Sequence, residues 1–225
     1  MCFSAGASFA GGILISAIGI ATVRKVHKPS QLVFASIPLF FGIQQIVEGC
    51  LWLFLPQPDL LNVQKVTTYL FLILAQVLWP TIIPVSVLLM EKDKKRKRML
   101  RIFLALGLLL SSYYAFCLMF FTVTPRINGY HILYITTFPE LLSIPAFIVY
   151  LTATIIPLFI SGIRKAHFLA ILMFLSCLIT AIFFTQYLIS VWCFFAALIS
   201  GVIYWILSDS KKEFNFEILS KLKAG

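Results

Sequence analysis

The sequence predicts an all-α polytopic membrane protein with seven transmembrane helices, an outside N-terminus and a cytoplasmic C-terminus. Three observations support this prediction. Of the 225 residues, 61% are hydrophobic and only 12% are charged, whereas soluble domains carry roughly a quarter of charged residues. Seven apolar runs have close to the 20 or so residues that a membrane-spanning helix needs. The basic residues concentrate in alternate loops, as membrane insertion requires.

The spans are read from apolar runs that end at charged or turn residues. They lie at about 3–23, 32–54, 66–90, 102–123, 141–163, 168–185 and 188–207. These runs form one predicted transmembrane bundle over residues 1–208 and leave no room for a separate soluble domain. Residues 209–225 mix lysines with large apolar side chains, which predicts a basic amphipathic tail on the cytoplasmic leaflet.

Lysine and arginine determine the predicted orientation, because cytoplasmic loops retain positive charge. Sixteen of the 18 basic residues lie on one side of the predicted membrane, and only Lys65 and Arg126 lie on the other. The side rich in positive charge holds residues 24–28, 92–101, 164–165 and the tail. The net charge of +10 is thus explained by topology, so the expected partner is the lipid bilayer and not nucleic acid.

Several classes of membrane protein are excluded by residues that the chain lacks. No lysine lies between Leu188 and Leu207 to form a Schiff base, so no retinal is expected. Membrane hydrolases with paired histidines, and haem bundles with two axial histidines, do not fit either. The chain has three histidines, and the two at positions 27 and 167 fall in predicted cytoplasmic loops.

Glu48 is the one acid that clearly lies inside a predicted span, and a carboxylate there is costly in lipid. It lies about six residues, or roughly 9 Å, from the outer end of the second span. Gln44 and Gln45 fall on its helical face, and Trp52 continues that face outward. This stripe predicts either a ligand site in the outer half of the bilayer or a hydrogen-bonding network between helices.

Other spans offer residues that would complete such a site. Trp79 precedes Pro80 in the third span, where proline kinks a helix and frees carbonyls that line cavities. Gln76 lies one turn outward and would face the same cavity as Glu48. Ser190 lies in the outer half of the last span. The predicted ligand pocket therefore comprises Glu48, Gln44, Gln45, Trp52, Gln76, Trp79 and Ser190.

A transition metal such as zinc is an alternative ligand at the same outer end. His131, Glu48, Cys2 and Cys193 would supply the imidazole, carboxylate and thiolate groups that zinc prefers. Each of these residues comes from a different segment, however, and no close spacing supports the set. His131 in a solvent-facing loop and the cysteines as small packing residues are the competing interpretations.

Four stretches resemble a family of small bacterial membrane proteins of unknown function. They are Met1-Cys-Phe-Ser-Ala5 with Ala7-Ser-Phe9, Phe41-Gly-Ile-Gln-Gln45 with Glu48-Gly49, Trp79-Pro80 with Pro84, and Ser190-Val-Trp-Cys-Phe-Phe-Ala-Ala197. The resemblance covers nearly the whole chain. It implies a bacterial inner-membrane protein of seven helices and draws attention to Cys2, Gln45, Glu48, Trp79 and Cys193, but it implies no substrate.

These observations leave three classes of function open. The leading hypothesis is a protein that binds or transports a small molecule, lipid or ion around Glu48, with the proline-kinked spans as its moving parts. A membrane-embedded enzyme would use Glu48 as a general acid, a general base or a metal ligand on a lipid-like substrate. In a structural or assembly subunit Glu48 would only join helices. The catalytic residues of the enzyme alternative are unknown, and an oligomer is compatible with the sequence.

Overall fold

The computed structural model describes residues 4–209, so Cys2 and the predicted tail beyond Asp209 lie outside the described residues. Within them, seven helices are long and apolar enough to cross a membrane, as the sequence predicted. The third of these contains two α-helices separated by a π-helical turn. The α-helices are α1 Ala5–Val23, α2 Leu32–Phe54, α3 Leu61–Leu72, α4 Trp79–Met90, α5 Lys94–Phe120, α6 Ser143–Ile160, α7 Arg164–Phe183 and α8 Leu188–Ser200, and residues 202–209 continue α8 as helix.

Some helices extend beyond the apolar runs that predicted them. Helix α5 begins at Lys94, eight residues before its run, because lysine and arginine favour helix as strongly as most apolar residues do. Asp93 caps this helix, and its carboxylate accepts a hydrogen bond from the backbone N–H of Arg96 at 2.8 Å. Hydropathy marks only the apolar part of such a helix, so its first two turns were missed.

The sequence did not predict a β-hairpin that the all-α bundle carries between α5 and α6. Residues Val123–Asn128 form strand β1 and His131–Thr136 form strand β2, paired antiparallel. Gly129 opens the two-residue turn with φ of +59°, and a glycine at this position is what a type II′ hairpin turn requires. Asn128-Gly129 is a strong hairpin signal that the search for apolar runs overlooked.

Helices α1 and α2 pack antiparallel with their backbones in close contact. A Cβ on Gly12 would lie 3.0 Å from the Gly42 carbonyl oxygen, and one on Gly19 would lie 2.6 Å from the Leu39 nitrogen. Small residues permit this approach in membrane helices. Towards the start of α1, the Phe9 ring covers Gly49, so the beginning of α1 lies beside the end of α2 that carries Glu48.

The third apolar helix is broken where it contains prolines. A π-helical turn spans Ile73–Leu78 immediately before Trp79 and Pro80. Pro80 has no N–H to donate, so a carbonyl one turn earlier loses its helical partner. The Tyr150 hydroxyl on α6 donates to the carbonyl of Ala75 at 2.6 Å. This bond gives a carbonyl of the π-helical turn a hydrogen-bond partner from a neighbouring helix.

Three of the seven helices form the centre of the bundle. In the apolar stretches of the second, third and last helices, 50%, 50% and 56% of the residues are buried. In the other four helices the buried share is 28–39%. We name the two ends of the bundle by their contents. The hairpin end carries β1 and β2, and the basic end carries the loops around residues 24–31, 91–93 and 161–163. Glu48 lies on α2 towards the hairpin end.

Candidate functional site

Glu48 is fully buried and hydrogen-bonded to the last helix. The Ser190 hydroxyl donates to Glu48 Oε1 at 2.5 Å, and both residues are 0% exposed. A separation this short is typical of a hydroxyl bonded to a carboxylate. The bond joins α2 to α8 across 142 positions of sequence.

Gln44 lies one turn before Glu48 and binds a different helix. Its side-chain oxygen accepts a hydrogen bond from Trp79 Nε1 at 2.8 Å. The indole of Trp79 also stacks on Phe41, with ring centroids 3.7 Å apart. Trp79 is held by both contacts, and α2 is thereby joined to α4.

Cys193 lies on α8 near this pair of hydrogen bonds. It is 6% exposed, and Glu48 and Gln44 are close enough to influence its thiol electrostatically. Ser190 precedes it on α8 by one helical turn. The polar cluster of Gln44, Glu48, Trp79, Ser190 and Cys193 thus brings together α2, α4 and α8.

Gln45 and Trp52 belong to the predicted stripe but not to this hydrogen-bonded cluster. Gln45 is 0% exposed, and neither end of its amide has a hydrogen-bond partner among residues 4–209. Trp52 is half-buried and packs beside a small apolar core around Leu51. Its indole N–H also has no partner within the described part of the chain.

An aromatic-lined cavity lies next to the cluster, between the π-helical turn, α6 and α8. We call it the Gln76–Trp192 cavity; it is a small, partly open space of about 50 Å³. Gln76 is 8% exposed and Trp192 is 6% exposed. Across residues 4–209, Gln76 Oε1 and Trp192 Nε1 are buried without a hydrogen-bond partner, and both residues line this cavity. Its lining is Ala75, Gln76, Tyr114, Phe147, Tyr150, Leu188, Ile189, Trp192 and Cys193.

A second, narrower space of about 20 Å³ adjoins the first and shares Tyr150, Trp192 and Cys193 with it. It extends towards Phe41 and Trp79 and is lined mainly by aromatic and aliphatic side chains. Cys193 is therefore both a member of the polar cluster and a wall of the two cavities. Together the cavities offer an apolar space with a polar group at its side.

Only two of the predicted pocket residues line a cavity. Gln76 lines one cavity and Trp79 the other, and the remaining five line neither: Gln44, Gln45, Glu48, Trp52 and Ser190. Sequence reasoning missed Tyr150, whose only signal was a phenol within an apolar run. It regarded Trp192 as packing, and nothing local distinguishes an indole that lines a cavity from one that fills a core.

The residues proposed as metal ligands are only partly brought together. Cys193 lies near Glu48, but His131 on β2 stacks on Tyr187, with ring centroids 4.5 Å apart. Burial lowers the pKa of the His131 imidazole below its ordinary value. Over residues 4–209, no three His, Cys, Asp or Glu side chains are close enough to hold a metal ion. Cys2 lies outside this range, and the zinc site stays a prediction.

A second buried acid, Glu91, lies at the basic end, where the sequence suggested only a charged loop. Its carboxylate accepts backbone hydrogen bonds from Lys92 at 2.8 Å, Asp93 at 3.0 Å and Gly162 at 2.7 Å. Arg96 Nε lies 3.1 Å from the same carboxylate. Burial alone would raise the pKa of Glu91, but these hydrogen bonds outweigh it and lower that pKa. Glu91 therefore joins the loop before α5 to the loop before α7.

Comparison with known proteins identifies the family but not the activity. Residues 1–216 match the model of a family of unknown function, DUF6629, and the chain belongs to that family. No curated protein matches the chain. No solved structure matches it either.

Proposed function

We propose that this member of the DUF6629 family is an integral protein of the bacterial inner membrane that binds a small molecule in the Gln76–Trp192 cavity. Large apolar side chains on the outer helix faces support the membrane placement. Leu109, Met119 and Phe183 are 70%, 73% and 72% exposed, which suits lipid better than water. Positive charge at the basic end supports placing that end in the cytoplasm.

The observation that carries the binding proposal is the pair of unsatisfied polar atoms on two residues that line one cavity. Leaving a buried donor or acceptor without a partner costs about 1–3 kcal/mol each. A ligand that presents one donor and one acceptor, and that reaches both side chains, would pair with Gln76 Oε1 and Trp192 Nε1. The space is small and partly open, and its remaining lining is largely aromatic and aliphatic. The proposed ligand therefore inserts a small polar group there and is otherwise apolar, as a lipid or quinone-like compound is.

Glu48 does not line the cavity, and it would act as the carboxyl group of the neighbouring polar cluster. If the protein transports its ligand, Glu48 would be the proton or cation site, and the π-helical turn before Pro80 would be the flexible element. If it is an enzyme, Glu48 would exchange protons with the substrate. The transporter and the enzyme alternatives both require a molecule bound in the Gln76–Trp192 cavity.

A structural or assembly role is the second candidate, and the polar cluster itself favours it. The bonds of Glu48 to Ser190 and of Gln44 to Trp79 hold three helices together. Hydrogen bonds between membrane helices contribute about 0.6 kcal/mol each on average. A purely structural cluster would not need the unsatisfied groups of Gln76 and Trp192.

The decisive experiment is mass spectrometry of small molecules that copurify with the protein in mild detergent. The variants Gln76→Leu and Trp192→Phe remove one polar atom each, and Gln57→Leu and Trp205→Phe make matched changes at exposed residues. We expect a stoichiometric compound in the wild type and both controls, reduced about tenfold in the cavity variants, as loss of one buried hydrogen bond predicts. Identical extracts from all five proteins would contradict the binding proposal and favour the structural role.

A further inference from the structure

A different pair of adjoining cavities opens at the basic end of the bundle. They lie between the end of α4, the loop before α7 and the helical residues 202–209. Their volumes are about 460 and 250 Å³, and both are partly open to the surroundings. Both are lined by Met90, Gly162 and Ile163, so we treat them as one space, the basic-end cavity.

Four basic side chains line the basic-end cavity: Lys92, Arg96, Arg164 and Lys165. Arg96 pairs with Glu91, and Lys165 pairs with Asp209. No ion pair between residues 4 and 209 engages Lys92 or Arg164. The cavity therefore has two positive charges that its own acids do not neutralise.

The wall of the basic-end cavity is apolar where it enters the bundle. Ile206 and Leu207 are buried, and Met90 and Ile163 are half-buried. Arg164 is also the first residue of α7, so the positive end of that helix adds to the charge of the side chains. A basic rim above an apolar wall matches a molecule with a negative head and a hydrocarbon body.

We propose that the basic-end cavity binds the phosphate headgroup of an anionic phospholipid, with Lys92 and Arg164 as its principal charged contacts. Basic pockets between helices on the cytoplasmic side are a recognised mode of lipid binding. The topological rule explains why lysines and arginines lie at this end, but not why four of them surround one opening between helices. The proposal rests on the membrane placement given above and is independent of the Gln76–Trp192 cavity.

The test measures binding of short-chain phosphatidylglycerol to the full-length protein in neutral detergent by native mass spectrometry, with short-chain phosphatidylcholine as reference. The double variant Lys92→Gln/Arg164→Gln removes the two cavity charges. Lys95→Gln/Arg98→Gln is the matched control, because both residues are exposed on α5 and do not line the cavity. We expect phosphatidylglycerol to bind the wild type more tightly than phosphatidylcholine. We expect about fivefold weaker binding for each cavity charge removed, and less than twofold loss in the control.

Three outcomes would overturn the proposal. Equal losses of phosphatidylglycerol affinity in the two double variants would mean that binding depends only on the total positive charge of this end. Inorganic phosphate that displaces the lipid at similar concentration would make the ligand a free anion. Absence of any preference for phosphatidylglycerol, whether both phospholipids bind equally or neither binds, would refute recognition of an anionic headgroup while leaving the membrane placement intact. The copurification experiment with Gln76→Leu would be unaffected by any of these results.

Discussion

The hydroxyl of Ser190 lies 2.5 Å from the carboxylate oxygen of Glu48, and both groups are fully buried. Ser190→Ala removes this donor without adding bulk. We expect the free energy of unfolding to fall by about 1–3 kcal/mol, because a buried acceptor loses a hydrogen bond. Unfolding in mixed detergent micelles, followed by circular dichroism, measures the change. The control is Ser112→Ala, whose exposed hydroxyl bonds only within its own helix; equal stability of the two variants would contradict the expectation.

Gly107 on α5 lies directly against the carbonyl of Pro80. Pro84 has no N–H to bind that carbonyl, and a Cβ at position 107 would lie 1.9 Å from its oxygen. We expect Gly107→Ala to reduce the free energy of unfolding by about 3 kcal/mol, the upper part of the range for overpacked sites. Gly6→Ala is the control, since its Cβ would lie 3.9 Å from the nearest atom. A Gly107→Ala protein as stable as the wild type would show that these helices are further apart.

Glu91 should make stability depend on pH at the acidic end of the range. Its pKa is lowered from 4.5 in the folded protein, so its contribution is present above pH 4.5 and disappears as pH falls through the lower folded value. We expect Glu91→Gln to destabilise the protein by about 1–2 kcal/mol at pH 7, and the difference from wild type to shrink below pH 4.5. Denaturant unfolding at pH 7, 5 and 3.5 measures this.

The control for this pH series is Glu140→Gln, because Glu140 is an exposed acid at the other end of the bundle. It should change stability by less than about 0.5 kcal/mol at each pH. A Glu91→Gln deficit that stays constant from pH 7 to 3.5 would mean that the ionised carboxylate is not what holds the two loops.

Gln45 carries a buried amide whose hydrogen-bonding groups are unsatisfied within residues 4–209. Gln45→Met keeps a similar side-chain length and removes both polar groups. We expect the free energy of unfolding to rise by about 1 kcal/mol, because a desolvated amide without partners is costly. The same unfolding assay measures the change. A loss of more than 1 kcal/mol would show that Gln45 has a partner, and copurified molecules should then be compared between the two proteins.

The proposed orientation predicts opposite labelling at the two ends of the bundle. Tyr130 at the hairpin turn is 74% exposed, and Lys95 is an exposed residue of the basic end. In intact spheroplasts we expect a membrane-impermeant maleimide to label Tyr130→Cys, and to label Lys95→Cys only after permeabilisation. The unaltered chain controls for its native cysteines. The reverse pattern would invert the proposed topology.

Sequence reasoning was most successful where the property is local. Each apolar run is long enough to be a helix by its own composition, and the seven helices follow from that. It was least successful where hydropathy carries no signal. The basic first turns of α5 and the hairpin at Gly129 both lie outside the apolar runs.

The candidate site shows the same division. The sequence by itself identified Glu48, Gln44, Gln45, Gln76 and Trp79 as unusual, because polar groups and prolines within apolar runs are visible without a structure. Only the tertiary structure decided that Glu48 bonds to Ser190, that Gln44 bonds to Trp79, and that Gln76 and Trp192 line one cavity. The physical reason is that helices form from interactions within each run, whereas these partners depend on which helix faces pack together. That packing is set by close contacts such as those of Gly42 and Gly107 with neighbouring helices.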